Sequence, residues 1–239
     1  MNNNNNNAFL SKELHECFEQ GILADQRHMD TSKVVYFLVS ESEFQKHMAH
    51  LPHVPYYDMV IVFAYMTTSE HLNSFLLITN KLAESNHLSV PNLVDLAQHN
   101  THLLFPSSTV SFGKFMFDRH ISSNDISPEK LMQYALVAAI EEKDPKTAAY
   151  ILSAKNYKFG ATALLDISFL DRMANELEND LIILPSSDGE FLINTESQCD
   201  DLHELRRFTD AALRCGNAKI LTRLIFRYSR KSRQLQKIS

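Results

Sequence analysis

The sequence predicts an α+β protein made of two related strand-strand-helix-strand units, with an N-terminal helix and a C-terminal β-hairpin. Short apolar runs rich in β-branched and aromatic residues alternate with longer segments whose apolar residues recur every three or four positions. Two apolar runs, LLFPSS at 103–108 and LIILPSS at 181–187, end in the same Pro-Ser-Ser. The closing stretch LTRLIFRYSRKSRQLQKIS alternates in two halves around RKS, which is typical of a hairpin.

Composition indicates a globular protein of a reducing compartment. The 239 residues, 44% of them apolar, suit one large domain or two small ones, and the formal charge is -6. An odd number of widely spaced cysteines, three in all, argues against a disulfide scaffold and favours the cytoplasm. No apolar run reaches the ~18 residues of a membrane-spanning helix, so we expect no membrane. The start MNNNNNNAFL lacks the regions of a signal peptide.

We expect the chain to divide into three parts. An asparagine-rich tail over residues 1–8 is predicted to be disordered, an N-terminal α+β unit covers 9–125, and a C-terminal α+β unit with the terminal hairpin covers 126–239. The five glycines lie too far apart to form GxGxxG or GxxxxGK, the loops that cradle nucleotide phosphates. GxSxG and HExxH are absent as well, and no cofactor is predicted.

The first half is predicted to alternate strands with capped helices. Ser89 is a helix N-cap with Pro91 in the first turn, and Pro52 stops the helix before it. The predicted helices cover 9–22, the stretch from Ser40 or Ser42 to Pro52, and the segment that follows Ser89. The predicted strands cover 34–39, 59–66, 75–79 and 102–105.

The second half repeats this alternation. Phe112, Phe115, Met116 and Phe117 predict a helical turn, and Asp144-Pro145 closes the helix that Ser127 opens. The remaining predicted helices begin at Asp166 and cover 200–215. The predicted strands cover 149–153, 161–165, 181–184, 191–193 and the two arms of the terminal hairpin.

The repeat hypothesis rests on aligning LSVPNLVDLAQ at 88–98 with LDISFLDRMAN at 165–175. The caps and apolar positions of the two segments coincide, and each is followed by an apolar run and Pro-Ser-Ser. Proline cannot donate to a ladder, so the primary interpretation of Pro-Ser-Ser is strand termination. The alternative is that the hydroxyls of Ser107, Ser186 and Ser187 belong to a binding site.

Several motifs together resemble a known family. They are PHVPYYDMVIVFAY, HLSVPNLVDLAQHNTHLLFPSS, AYILSAKNYKFGATALLD, LDRMANELENDLIILPSS and NAKILTRLIFRYSRKSRQL. From about Lys33 to the end, the chain is similar to DUF5688, an uncharacterised family of bacterial proteins common in gut anaerobes. The family pattern continues past Pro-Ser-Ser with Ile-His-Glu; here the histidine is missing and Glu190 is kept. The resemblance implies the fold and a bacterial cytoplasm, and it supplies no mechanism.

The histidines of HMAHLPH are the candidate metal ligands. His47 and His50 share one face of a helix, and imidazole is a common ligand of metals. Zinc sites need three or four protein ligands, and Pro52 separates His53 from the other two. The favoured interpretation is exposed or locally bonded histidines. The alternative is a metal-assisted hydrolase that uses His53 and Asp58.

The C-terminal segment carries a concentration of positive charge. Residues 219–239 contain seven lysines and arginines and no acid, while the rest of the chain has 16 basic against 29 acidic residues. In a hairpin, Arg223, Arg227 and Arg233 could line one exposed face beside Tyr228. Arg230 and Lys231 add to a surface that suits nucleic-acid phosphates or an acidic protein. The favoured interpretation is a charged edge that opposes aggregation, or one that pairs with the acidic body of the same chain.

These observations favour a non-enzymatic interaction or regulatory protein of the cytoplasm. Missing catalytic motifs and the split charge support this interpretation; the partner is left open, with a protein favoured over nucleic acid. A hydrolase at His53 and Asp58 and a nucleic-acid-binding hairpin are the alternatives. For a serine hydrolase, Ser186 or Ser187 would need a base such as His203 or Glu190, and no local motif marks either serine as a nucleophile.

Overall fold

A computed structural model describes residues 28–69, 72–121, 126–154, 160–186, 190–199, 201, 205, 207 and 221–238. These residues form two compact units: the described residues up to Pro106 with Leu221 and Thr222, and the described residues from Ser107 to Arg207 with those from Arg223 onward. Both units combine helices with antiparallel sheets, so the α+β class is confirmed. The predicted tail, the helix at 9–22 and nearly all of the helix at 200–215 lie outside the described residues. The division after residue 125 stays a proposal about folding units.

The first unit is built around one long strand. Its strands are β1 (Val34–Ser40), β2 (His53–Tyr56), β3 (Met59–Ser69) and β4 (Leu72–Leu77). One edge of β3 pairs with β1, in the register Val34 to Tyr65 through Ser40 to Met59. The other edge pairs first with β2 and then with β4. All seven residues of β1 are buried, which explains its continuous apolar sequence.

The helices of the first unit confirm one predicted cap and correct two predictions. They are α1 (Glu41–Phe44), α2 (Asn80–Ser85) and α3 (Val90–Leu104), with 3-10 turns at Thr31–Lys33 and Met48–His50. Ser89 caps α3 in a reciprocal capping box with Asn92, as predicted. The single helix expected before Pro52 is instead two short ones. The strand expected at 102–105 is wrong, because α3 runs through to Leu104.

The second unit is a six-stranded antiparallel sheet in the order β10-β9-β7-β8-β6-β5. The buried cluster on this sheet joins Ile151, Ile182, Leu184, Leu192 and Ile225. Pairing of β7 with β8 confirms the strands predicted at 181–184 and 191–193, and pairing of β9 with β10 confirms the C-terminal hairpin. The strands are β5 (Ser107–Ser111), β6 (Tyr150–Ala154), β7 (Leu181–Pro185), β8 (Phe191–Thr195), β9 (Phe226–Ser229) and β10 (Gln234–Lys237).

Three helices accompany this sheet. They are α4 (Phe112–His120), α5 (Pro128–Lys143) and α6 (Ile167–Glu176). Asp166 caps α6 as predicted, since its Oδ1 accepts from the Phe169 N–H. The strand predicted at 161–165 is wrong: Gly160–Leu165 is a 3-10 helix, and it packs against β6. Ala161 and Ala163 are both buried in this 3-10 helix. Further 3-10 turns lie at Pro145–Thr147 and Glu196–Gln198.

The two Pro-Ser-Ser stretches therefore play different roles. Pro185 ends β7, as the strand-termination interpretation requires, whereas Ser107 begins β5 after the end of α3. Helices do follow Ser89 and Asp166, but the strand-strand-helix-strand correspondence fails at 102–105 and at 161–165. Within the described part of the chain, no helix has the length and apolar character needed to cross a membrane.

Candidate functional site

The two residues of the hydrolase hypothesis lie at opposite ends of β2. His53 begins the strand, and its Nδ1–H donates to the Leu51 carbonyl oxygen at 2.8 Å. Asp58 lies two residues beyond Tyr56, where the strand ends, and its Oδ1 accepts from the Thr222 hydroxyl at 2.7 Å. A strand rises ~3.3 Å per residue, so β2 alone spans roughly 10 Å from His53 to Tyr56, and Asp58 lies beyond its end. Each side chain has a hydrogen-bond partner of its own, and these bonds do not join the two residues.

The other histidines of the motif are held apart in the same way. The His47 ring meets the Phe44 ring edge-on, with 5.8 Å between centroids. His50 is exposed at the end of its 3-10 turn. Among the residues that the structure describes, no three His, Cys, Asp or Glu side chains form a group that could hold a metal ion.

Ser107 takes part in the capping of α6. Its hydroxyl donates to Asp166 Oδ2 at 2.8 Å, while the other carboxylate oxygen accepts from Phe169 N–H at 2.9 Å. Asp166 is buried, so these two bonds satisfy a carboxylate that would otherwise be costly to bury. The Ser107 hydroxyl thus has a structural role in the capping of α6.

The second Pro-Ser-Ser is followed in the chain by Glu190, whose carboxyl group is partly buried. The Ser186 N–H donates to the Glu190 carbonyl oxygen at 3.1 Å, which closes the link between β7 and β8. Burial raises the pKa of Glu190, and the positive charge of Arg119 opposes that rise. Ser187 lies outside the described residues.

Acidic side chains of the second unit form hydrogen bonds with the basic hairpin. Arg227 Nη2 donates to Asp180 Oδ2 at 2.9 Å and to Glu196 Oε2 at 2.8 Å. The backbone N–H of Arg230 donates to the other Asp180 oxygen at 3.0 Å. The Arg230 Nε–H also donates to Asn175 Oδ1 at 3.3 Å. These bonds agree with the sequence-based idea that the hairpin pairs with the acidic body.

A second anchor corrects the expected exposed face beside Tyr228. Tyr228 is fully buried, and its hydroxyl donates to Asp171 Oδ1 at 2.9 Å. Burial, reinforced by this carboxylate, raises the pKa of Tyr228 to about 12. Arg233 Nε lies 3.6 Å from the same oxygen. Tyr228 therefore joins the core of the unit instead of an exposed cationic surface.

Beside the hairpin turn lies a polar cleft of about 550 Å³. Acidic and basic side chains share its walls, which are formed by Asn175, Glu178, Asn179, Asp180, Glu196, Arg230 and Lys231. Because carboxylates face the cations here, the positive field expected from the sequence is offset locally. Nucleic-acid binding by Arg227, Arg230, Lys231 and Arg233 stays a prediction.

Three strongly exposed apolar side chains lie on the outer face of α5. Met132, Leu136 and Ile140 expose 71%, 61% and 56% of their surfaces, and they follow one another at four-residue spacing. Successive positions of this kind lie on one side of a helix. Sequence reasoning predicted the helix that Ser127 opens but missed this exposed side of it. The available signal was that α5 is apolar around most of its circumference.

The inner side of α5 is fixed against α4 at one close approach. A Cβ on Gly113 would lie 2.5 Å from the Ala138 backbone nitrogen. The Gly113 N–H donates to Glu141 Oε2 at 2.8 Å, and Glu141 is buried. Ser111, the N-cap of α4, makes no side-chain cap bond, so Glu141 satisfies a free N–H of that helix. This contact determines which side of α5 faces outward.

Together, these features define an α+β protein in which acidic side chains hold the C-terminal hairpin and one helix exposes an apolar face. The chain belongs to the family of unknown function DUF5688, whose family model matches residues 10–230. Comparison with curated proteins and with solved structures gives no match.

Proposed function

We propose that this chain is a non-enzymatic interaction module that binds another protein through the outer face of α5. The observation that carries the proposal is the exposed stripe of Met132, Leu136 and Ile140. Apolar patches of this kind mark contact surfaces, because covering them removes apolar area from water. Anchors at helical spacing are also the pattern by which an amphipathic helix is recognised by a partner.

The surroundings of the stripe support a protein partner. Exposed Glu129 and Lys143 lie at its two ends, so an apolar centre has a charged rim, as protein interfaces commonly have. On the inner side of the helix, the contact between Gly113 and Ala138 holds the presenting surface in place. A rigid surface loses little conformational entropy when it binds.

We also place the module in the reducing cytoplasm of a bacterium. Three cysteines spaced widely along the chain are typical of proteins that stay reduced. A regulatory role fits a protein that works by binding.

In-cell photo-cross-linking tests the proposed contact surface. A photoreactive amino acid replaces Met132 in one variant and Lys130 in a matched control. Both positions are exposed on α5, and they point about 160° apart at 100° per residue. We expect a discrete protein adduct from position 132 and none from position 130. Equal adducts from both positions, or no adduct from position 132, would contradict the proposal.

A further inference from the structure

Resting on the proposed function of the α5 face, we propose that its partner is a second copy of this chain. The two α5 helices pack antiparallel about a two-fold axis at Leu136.

The outer face of α5 is symmetric in sequence about Leu136. At 100° per residue, Met132 and Ile140 point about 40° to either side of Leu136. Glu129 and Lys143 point about 20° to either side, so they lie on the same face. Both are exposed and seven positions from the centre, one at each end of the stripe. The face thus begins with an acid, continues with three large apolar side chains and ends with a base.

Antiparallel pairing matches this face to itself. The two-fold axis passes at Leu136. A residue of one chain that lies n positions before Leu136 therefore meets the residue of the partner chain that lies n positions after Leu136. Met132 then packs against the partner's Ile140, and Glu129 faces the partner's Lys143. By symmetry each charged contact forms twice. Opposite charges in these positions favour pairing and fix its direction.

Parallel pairing is opposed by the same charges. It would place Glu129 beside the partner's Glu129 and Lys143 beside the partner's Lys143, and like charges at close range are destabilising. The helix dipoles also favour the antiparallel arrangement, because each N-terminus then lies beside a C-terminus. The charge pattern therefore selects one geometry out of two.

The size of the face sets the strength of the dimer. α5 has 16 residues, and at 1.5 Å per residue it is about 24 Å long. Three large apolar side chains cover less area than the ~800 Å² per partner of a standard interface. We therefore expect a reversible dimer whose population depends on concentration.

Sedimentation velocity on the full chain, from micromolar to millimolar concentration, tests the pairing. The unmodified chain should shift from monomer to dimer. Leu136→Glu removes an apolar contact at the axis and places two acids side by side, so dimerisation should weaken roughly a hundredfold. Leu136 is exposed in the monomer, so circular dichroism and thermal unfolding of this variant should be unchanged.

Charge reversal tests the direction of pairing. Glu129→Lys should weaken the dimer roughly tenfold through two symmetric contacts, each contributing about two- to fivefold. Adding Lys143→Glu should restore most of the loss. Glu142→Lys is the matched control: it makes the same charge change at an exposed position about 120° from the Leu136 direction. We expect it to leave the dimer unchanged.

The outcomes separate this inference from the proposed function. A chain that stays monomeric at every concentration overturns the self-pairing. So does a dimer insensitive to Leu136→Glu, or one that Glu142→Lys weakens as much as Glu129→Lys. If the adduct from position 132 then has a mass other than twice that of the chain, the contact surface stands and its partner is a different protein. Loss of both the dimer and the adduct overturns both proposals.

Discussion

The contact that orients α5 gives the sharpest stability prediction, which concerns Gly113→Ala. Inside a helix, this change normally stabilises by up to ~1 kcal/mol. Here the new Cβ would lie 2.5 Å from the Ala138 backbone nitrogen and 2.8 Å from both Glu141 Oε2 and Val137 Cγ1, whereas ordinary contacts begin at 3.4 Å. The two helices must therefore move apart by about 1 Å, and overpacking of this kind costs ~1–3 kcal/mol.

The same movement stretches the hydrogen bond from Gly113 N–H to the buried Glu141 carboxylate, which is 2.8 Å long in the native protein. A hydrogen bond to a charged group contributes ~1.5–3 kcal/mol. Setting the helix-propensity gain against both losses, we expect a net destabilisation of about 2–4 kcal/mol.

Urea and thermal unfolding followed by circular dichroism measure this change. A chain of this size loses roughly 2–4 °C in Tm for each kcal/mol. Adding Val137→Ala removes one of the three obstacles and leaves the backbone one, so the double variant should stay well below the native chain. A Gly113→Ala chain as stable as the native protein, or more stable, would refute the close approach of α4 and α5.

Three further predictions concern the second unit and the histidines. Arg227→Gln should lower the free energy of unfolding in urea by about 1–2 kcal/mol, because two charge-assisted hydrogen bonds are lost. The same change at exposed Arg223 should cost less than about 0.5 kcal/mol. Equal losses would contradict the stabilisation of the hairpin by Asp180 and Glu196. The raised pKa of Tyr228 contributes to the free energy of unfolding below pH 10, and this contribution is lost as the pH rises towards about 12. Between pH 10 and about 12, the Tm of the Tyr228→Phe chain should therefore depend less on pH than the Tm of the native chain. Elemental analysis of purified protein should show no stoichiometric zinc, iron or manganese, and one equivalent lost on changing His53 would count against a non-enzymatic module.

The sequence correctly predicted those elements that are determined by contacts between residues close together in the chain. Ser89 and Asp166 were identified as N-caps from residue type and spacing, and both side chains accept the expected backbone hydrogen bonds. The alternating apolar residues of the last 19 positions likewise predicted the hairpin. In these places the deciding contacts lie within a few residues of one another.

The errors arise where distant residues decide the structure. α3 continues through 102–104 because Asn100 donates to the Thr31 and Val34 carbonyl oxygens and Thr101 accepts from Tyr36 N–H, and these contacts hold its last turns against β1. The sequence of 102–105 gives no signal of these contacts, because the partner residues lie more than 60 positions earlier in the chain.

The candidate site shows the same limit. Glu141 caps a helix that begins 29 residues before it, so its role follows from packing and from no local motif. The pairing of Arg227 with Asp180 and Glu196 was anticipated as charge attraction, but its partners were unknown until β9 was placed beside β7. The outer face of α5 could have been derived only by knowing which of its apolar sides α4 covers.

The strand order of the second unit also has a consequence for how the protein is made. One edge of β7 pairs with β8, which follows it closely in the chain, and its other edge pairs with the much later β9. About 40 residues must follow β7 before β9 is synthesised, which takes roughly 2–8 s at 5–20 residues per second. During that delay the edge of LIIL has no strand beside it, and such edges are where nascent chains aggregate. The growing chain is therefore an expected client for chaperones that shield apolar strands until the C-terminal hairpin closes the sheet.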